Sequence, residues 1–284
     1  MPDDSRDETY TLGYGEGSME WMTSRTAERH GAFLLPYLKR GMRFLDCGCG
    51  PGTLTIGFAR RVAPGETIGI DRETSQTAPV AEMARRDGVT NLHFESGDVY
   101  ALPFADASFD VVFDSAVLGS VANAELVVRE MVRVLKPDGI IALKEFDHEG
   151  DMVWPQNPII ELSIEHYQRL RAENGHEQSA GRRLKEFLTG NGCTVDYVHA
   201  LYDEQATREK LIPYIERNNK VLREILAPQY YERGWTTPAA MDECMEEWRR
   251  FARDPAAVYL AAWIEAVGIK RSARSNSRHW QPAP

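Results

Sequence analysis

Positive charge is in deficit along this chain of 284 residues: 33 lysines and arginines stand against 43 aspartates and glutamates, a formal charge of −10. Nucleic-acid backbones are gripped by clustered cations. No long Lys/Arg run is present, so no nucleic-acid partner is expected. Cysteine is scarce too, and four residues cannot frame a disulfide scaffold. Cys47 and Cys49 flank a single glycine, tighter than the usual two-residue metal spacing, while Cys193 and Cys244 are isolated. They read as small, semi-buried residues, and no metal site is expected. No apolar run reaches the ~20 residues that a membrane span requires. The acidic start MPDDSRDETY lacks the apolar core of a secretion signal. Internal repeats and low-complexity stretches are missing as well. What is there, 43% hydrophobic and 27% charged residues, is the composition of a soluble globular protein. The length suits one large domain, or a domain with a subdomain. A cytoplasmic protein acting on a small or neutral molecule, with no membrane partner, is the expectation.

The first half alternates strand-like and helix-like pieces. MRFLDCG (42–48) is a short apolar run ending in glycine, and it leads into a helical stretch, TLTIGFARRVA (53–63), closed by Pro64-Gly65. Strands follow at TIGID (67–71), LHFESGD (92–98), FDVVFDS (109–115) and IIALKEF (140–146). Helical pieces separate them, one around APVAEMARRDG (78–88). The other, NAELVVREMVRVLKPDG (123–139), carries Leu126, Val127, Met131, Val134 and Leu135 at helical spacing. Strands and helices in this rhythm predict an α/β fold with a parallel, doubly wound sheet. Residues 17–40 read as a helical cover. After residue 150 the rhythm changes: helices are expected over 157–174, 180–190, 205–226 and 238–252, with a strand at CTVDYVHALY (193–202). AVYLAAWIEAV (257–267) is open between strand and helix, and the polar tail 271–284 reads as loose.

FLDCGCGPG packs Gly48, Gly50 and Gly52 into five positions after the first strand. Such a turn lets a ligand approach main-chain N–H groups where a Cβ would clash, at the sheet edge where open α/β folds bind ligands. The dinucleotide fingerprint wants glycines at the first, third and sixth positions and an acid about 20 residues on. Gly48 and Gly50 fit, but the sixth position is Thr53 and the third glycine comes early. Asp71, 23 residues after Gly48, ends the second strand where its carboxylate could accept both hydroxyls of a ribose.

The run Asp-x-Gly-x-Gly-x-Gly, from Asp46 to Gly52, resembles motif I of the class I S-adenosylmethionine-dependent methyltransferases. SGDVYALPF (96–104), ALPFADASFDVVF (101–113) and EMVRVLKPDGIIALKEF (130–146) are similar to later segments of that family. The resemblance covers residues 40–147 well, and this half is similar to quinone-methylating and type 11 members. It implies a Rossmann-like, seven-stranded sheet whose last strand is antiparallel, with CTVDYVHALY as the sixth strand and AVYLAAWIEAV as the seventh. It further implies S-adenosylmethionine as methyl donor and S-adenosylhomocysteine as product. By position, Gly48, Gly50 and Gly52 would admit the methionine and ribose, with Asp46 supporting the loop or the amino group. Asp71 would hold the ribose, and Asp98 and the main chain at Val99 would read the adenine. Asp114 and Ser115 would lie beside the methionine end, Ser115 reading equally as a helix N-cap. Arg72 would stack on the adenine or lie on the surface. The leader TYTLGYGEGSMEW (9–21) would close over the site, with Tyr14 as the lid residue and Tyr10 and Trp21 behind it.

On that reading residues 1–39 form a cover, 40–150 the cofactor-binding core and 151–270 the part that binds a small-molecule acceptor. The stretch 203–254 is then a helical insertion, expected to act as a lid or as the element of a homodimer. It is where the chain departs most from the quinone-methylating relatives, and this counts against a quinone acceptor. KEFDHEGDMVW (144–154) brings Glu145, Asp147, His148 and Glu149 to the correct sheet edge, and His148 is the favoured general base. Glu149 and His166 are the further catalytic candidates. Tyr197, Tyr202, Tyr214, Trp235, Trp248 and Trp263 suggest an aromatic-rich pocket. A nicotinamide-dependent oxidoreductase, a non-methylating enzyme on the same fold and a binding protein without turnover are the alternatives.

Overall fold

Apolar runs bounded by glycine and proline become the strands of one mixed sheet. The computed structural model describes residues 9–272. In chain order the elements are α1 (Glu16–Thr23), α2 (Ala27–His30), β1 (Phe44–Cys47), α3 (Thr53–Val62), β2 (Thr67–Asp71), α4 (Ala78–Arg86) and β3 (Leu92–Ser96). There follow β4 (Phe109–Ser115), α5 (Ala124–Val134), β5 (Leu135–Phe146), β6 (Met152–Trp154), α6 (Pro158–Glu173), α7 (Ala180–Gly190) and β7 (Cys193–Gln205). Last come α8 (Arg208–Val221), a π turn (Leu222–Leu226), α9 (Ala227–Glu232), α10 (Pro238–Arg253) and β8 (Val258–Lys270).

The sheet runs β3-β2-β1-β4-β5-β8, with β1 to β5 parallel and β8 antiparallel to its neighbours. Chain reversal at β1 sends β2 to one side and β4 to the other, so the turn after β1 opens at a topological switch point. All of β1 is buried, as a central parallel strand covered on both faces must be. β7 pairs with the far edge of β8, and the short β6 continues the line of β5 along the near edge. The fold is the expected Rossmann-like one, with β6 as an eighth, three-residue strand that the sequence reading did not anticipate. The ambiguous stretch 257–267 is strand: β7 pairs with it from Tyr259 onward and β5 from Trp263 onward.

The helical cover is more broken than expected. Residues 16–30 form two short helices and Leu35–Tyr37 a single 3₁₀ turn. Gly31 ends α2 where a Cβ would meet Phe58 Cζ at 2.4 Å, and Pro36 prevents a long helix from continuing. The stretch expected as one helix over 205–226 is helical from Arg208 and runs past its expected end to Glu232, though not as one regular α-helix. α8 stops at Val221 and the chain widens into the π turn just ahead of Pro228, which has no N–H to give to the preceding turn.

α8, α9 and α10 build a core of their own with α6. Leu211, Ile215, Tyr230, Met245 and Trp248 pack with Ile160 and Leu170, separate from the apolar layers on the two faces of the sheet. α6 and α10 both start on proline behind a capping side chain, Asn157 and Thr237 respectively. Among the described residues no helix is long and apolar enough to cross a membrane.

Candidate active site

Three cavities lie in a row along the carboxyl edge of the parallel strands. The first, of about 160 Å³, opens at the turn after β1. Gly50 has φ +52°, its amide donates to Asp71 Oδ2 at 2.8 Å, and a Cβ there would meet only Met22 Sδ at 3.6 Å. Gly48 also lines this crevice, but what excludes a side chain there is protein: a Cβ would lie 2.1 Å from Val117 Cγ2.

Asp71, Arg72, Asp98, Val99 and Ser115 line the same crevice, and Tyr14 reaches it from the N-terminal segment. The structure thus brings together eight of the eleven residues expected to hold a ligand. Asp71 accepts from the Gly50 amide and, on Oδ1, from the Glu73 amide at 2.9 Å. Burial raises its pKa, and those two N–H groups oppose the rise. Asp98 is exposed and accepts from the Tyr100 amide at 3.0 Å, which fixes its turn.

The other three residues stand behind the crevice rather than in it. Gly52 starts α3 with φ +85°, and a Cβ there would strike Phe94 Cζ at 2.4 Å, so packing explains this glycine. Asp46 is buried in β1 and accepts from Thr55 Oγ1 at 2.6 Å, a strand-to-helix tie. Asp114 is fully buried, and neither of its oxygens completes a regular hydrogen bond, although the Val117 amide lies close enough to favour the ionised form. Burial and the neighbouring Glu145 and Asp46 hold its carboxyl well above the usual range.

Burial also pushes the Asp46 carboxyl from 3.8 up to about 7. The native state therefore keeps a proton between roughly pH 4 and 7 that the unfolded chain releases, so rising pH favours unfolding across that window. The penalty is absent below it and complete above it. Urea titrations at pH 4.5 and pH 7.5 are expected to show wild-type stability falling relative to Asp46→Asn as pH rises; parallel curves would contradict this.

Arg25 was not singled out in the sequence, where it sits in a stretch read only as cover. Its guanidinium is buried, donates from Nη2 to Ser115 Oγ at 2.5 Å, and lies over the rings of Trp21 (4.9 Å) and Trp263 (5.6 Å). Its Nε has no partner, and the side chain lines the crevice. Burial lowers its pKa to about 10, which leaves it cationic at neutral pH.

The second cavity, of about 190 Å³, is lined by Phe146 at the end of β5, His148 just beyond it, Tyr167 of α6, Tyr214 of α8, Tyr230 of α9, Trp248 of α10 and Tyr259 of β8. A narrow space of about 20 Å³ separates it from the crevice, bordered by Tyr10, Ala116, Glu145 and Arg171, and Trp21 borders all three.

The 3₁₀ turn His148–Gly150 brings His148 Nδ1 to 3.1 Å from Asp151 Oδ2. Asp151 is fixed by the Ala262 amide at 2.7 Å and the Tyr259 hydroxyl at 3.3 Å. The His148 ring stacks on Phe146 at 4.9 Å and meets the edge of Tyr167 at 5.6 Å. With its proton on Nδ1 and directed at Asp151, His148 has Nε2 free to accept another. Asp151 went unnoticed in the sequence; its only signal is its place three residues after His148.

Of the remaining candidates Glu149 and His166 line none of these spaces, and Glu145 borders only the narrow one. Glu149 is exposed and pairs with Arg182, which also holds the largely buried Asp147 at 2.7 Å, so one guanidinium engages both acids. His166 packs beside Tyr230 and Trp235 and lines none of the three cavities. Glu145 accepts from the Gly119 amide at 2.9 Å and from the Phe146 amide, a brace between β5 and the segment after β4. Of the expected aromatics, Tyr214 and Trp248 line the second cavity, Trp263 lies behind Trp21, Tyr197 packs on Phe33, Tyr202 is exposed and Trp235 stacks with Tyr230.

Known proteins place this architecture. The methyltransferase-domain family model matches residues 38–192. An uncharacterized methyltransferase from Schizosaccharomyces pombe is 32% identical over 197 residues, covering 67% of this chain and 70% of its own. A demethylmenaquinone methyltransferase from Lactobacillus johnsonii is 36% identical over 135 residues, covering 47% of this chain and 53% of its own. This chain therefore spans about half of the second relative's length and somewhat over two thirds of the first's. The crystal structure of the cyclase SpnF covers 90% of this chain and 81% of its own at TM-score 0.52 and 19% identity, a likeness of fold alone. The chain belongs to the class I S-adenosylmethionine-dependent methyltransferases.

The residues of the crevice fit that methyl donor. Asp71 offers carboxylate oxygens for ribose hydroxyls, Gly50 leaves room beside the main chain, and Arg25 Nε is a buried donor without an acceptor. Asp71→Ala is expected to weaken S-adenosylhomocysteine binding by ~1–3 kcal/mol, the scale of charge-assisted hydrogen bonds. Wild-type affinity for that variant by calorimetry would remove the ribose assignment.

Proposed function

We propose that this chain moves a methyl group from S-adenosylmethionine to an oxygen of a small, largely aromatic acceptor held in the second cavity, with His148 as general base. The observation that carries the reading is that Trp21 borders the crevice, the narrow space and the second cavity alike, while His148 borders the last two. When bound, S-adenosylmethionine supplies a sulfonium methyl that is already electrophilic. Asp71, Asp98 and the Gly50 main chain would hold its adenosine end, Arg25 its carboxylate, and Tyr14 would close over it.

The protein's own task is then to orient the acceptor, exclude water and take a proton. Holding two reacting groups in line can supply ~7–11 kcal/mol of a barrier. Aromatic walls from Phe146, Tyr167, Tyr214 and Trp248 suit a planar ligand. Apolar cavities of ~150 Å³ take up benzene, so about 190 Å³ suits one or two rings. His148 Nε2 would accept the acceptor's hydroxyl proton while Asp151 holds the ring in that tautomer and steadies the imidazolium that forms. Burial raises the pKa of Tyr259 and pushes that of Tyr214 up to about 12, so these phenols remain neutral walls. The insertion α8–α10 thereby serves as the wall of the acceptor site.

The test is methyl-labelled S-adenosylmethionine incubated with a panel of one- and two-ring phenols. Label in a product ether supports the reading. Conversion of an acceptor without label would instead indicate a non-methylating enzyme, and binding without any turnover a non-catalytic protein.

A further inference from the structure

The wall of the second cavity is rich in hydrogen-bond donors and holds no acid. Among its described lining residues Arg217 is the one side chain with a permanent charge, and no aspartate or glutamate is present. Its guanidinium lies 5.2 Å over the Tyr214 ring, one helical turn earlier on α8, and makes no hydrogen bond or ion pair among the described residues. Neighbouring arginines do pair: Arg249 with Glu216, and Arg233 with Glu173.

A second unmet donor faces the same space. Tyr230 is fully buried, its hydroxyl has no partner, and burial raises its pKa, so it keeps its proton. Orphaned buried polar atoms are rare in folded proteins and usually mark a missing partner. Other polar groups here are engaged: Trp248 Nε1 donates to Ser163 Oγ at 3.3 Å, Asn219 Nδ2 to the Met245 carbonyl at 3.2 Å, and the Tyr259 hydroxyl to Asp151.

A half-buried guanidinium without a carboxylate, beside an orphaned phenol and within aromatic walls, calls for a ligand that brings the anion itself. We propose that the acceptor is an aromatic carboxylic acid whose carboxylate is held by Arg217, with Tyr230 donating to a further ligand oxygen. This deepens the methyl-transfer reading and rests on it for the ligand's role as acceptor. Arg217 is thus a specificity-determining residue that takes no part in the proton transfer.

The experiment is equilibrium binding with S-adenosylhomocysteine present, followed by tryptophan fluorescence. The probes are a panel of hydroxybenzoates and hydroxycinnamates and their uncharged amides. Wild type is expected to bind at least one acid about tenfold or more tighter than its amide. Arg217→Gln should abolish that preference by lowering affinity for the acid about tenfold more than for the amide, while Arg217→Lys should keep part of it. S-adenosylhomocysteine affinity, measured on each variant, reports that the fold is intact. Equal affinity for every acid and its amide, binding of no acid, or a preference that survives in Arg217→Gln would overturn the proposal. Label assays on the same panel separate the two readings. Acids that bind through Arg217 but never receive label would overturn methyl transfer and not the anion site. Label found in amides and never in acids would do the reverse.

Discussion

Alanine in place of His148 is expected to lower kcat on a phenolic acceptor by about 10²–10⁴-fold, the usual scale for a lost general base. Affinity for S-adenosylhomocysteine should stay at the wild-type level, because His148 lines the acceptor cavity and not the crevice. Asp151→Asn should cost less and should act on kcat more than on KM. It removes the acceptor that holds the Nδ1 proton but leaves the ring between Phe146 and Tyr167. A phenol more acidic by several pKa units should narrow the gap between His148→Ala and wild type, since it needs less help to ionise. Steady-state kinetics with labelled methyl donor measures all three. Unchanged turnover in His148→Ala on a poorly acidic phenol would remove His148 from the chemistry.

Stability should suffer most at the buried pair Lys144–Glu265. The two residues are direct cross-strand partners on β5 and β8, 2.6 Å apart, with side chains only 5% and 8% exposed. Burial lowers the pKa of Lys144, and its bond to Glu265 opposes that shift. Removing one partner strands the other charge in the interior, so Lys144→Met is expected to cost ~3–5 kcal/mol in urea unfolding. Replacing both, as Lys144→Met with Glu265→Leu, should recover most of the loss, because an apolar pair of similar size carries no desolvation penalty. Two residues along the same ladder, Phe146 faces Trp263 and leads into His148. Loosened pairing there should therefore also lower kcat in the single variant. A single variant within 1 kcal/mol of wild type would show that the pair is solvated in solution.

The half of the chain that was legible in advance is the half whose physics is local. Apolar runs ending in glycine or an acid, separated by helical stretches, give β1 to β5 and their order, and the switch point follows from the chain reversal at β1. Asp71 and Asp98 were readable because a strand end fixes where a following acid must lie. Gly52 shows the limit: its positive φ and its nearness to Phe94 belong to packing, and its place in the motif that carries the resemblance assigned it to the ligand. Asp46 was open between supporting the loop and meeting the amino group, and its partner Thr55 on the next helix fits the first. Arg25 could not be found, because nothing around residue 25 tells that the chain folds back against Ser115, 90 positions on. The second cavity was hidden for a like reason. Tyr214, Tyr230, Trp248 and Tyr259 come from four different elements, and an aromatic-rich count cannot distinguish them from Trp235 or Tyr197, which pack elsewhere.

The central claim is that the turn after β1 and the carboxylate of Asp71 hold an adenosyl donor whose reactive end faces the Trp21 gap. A crystal structure of the protein grown with S-adenosylhomocysteine tests it most directly. The account predicts ribose hydroxyls on Asp71, adenine beside Asp98 and Val99, and the sulfur at the end of the crevice bordered by Trp21 and Ala116. Density for the ligand anywhere else, or with its adenine at the Trp21 end, would contradict it.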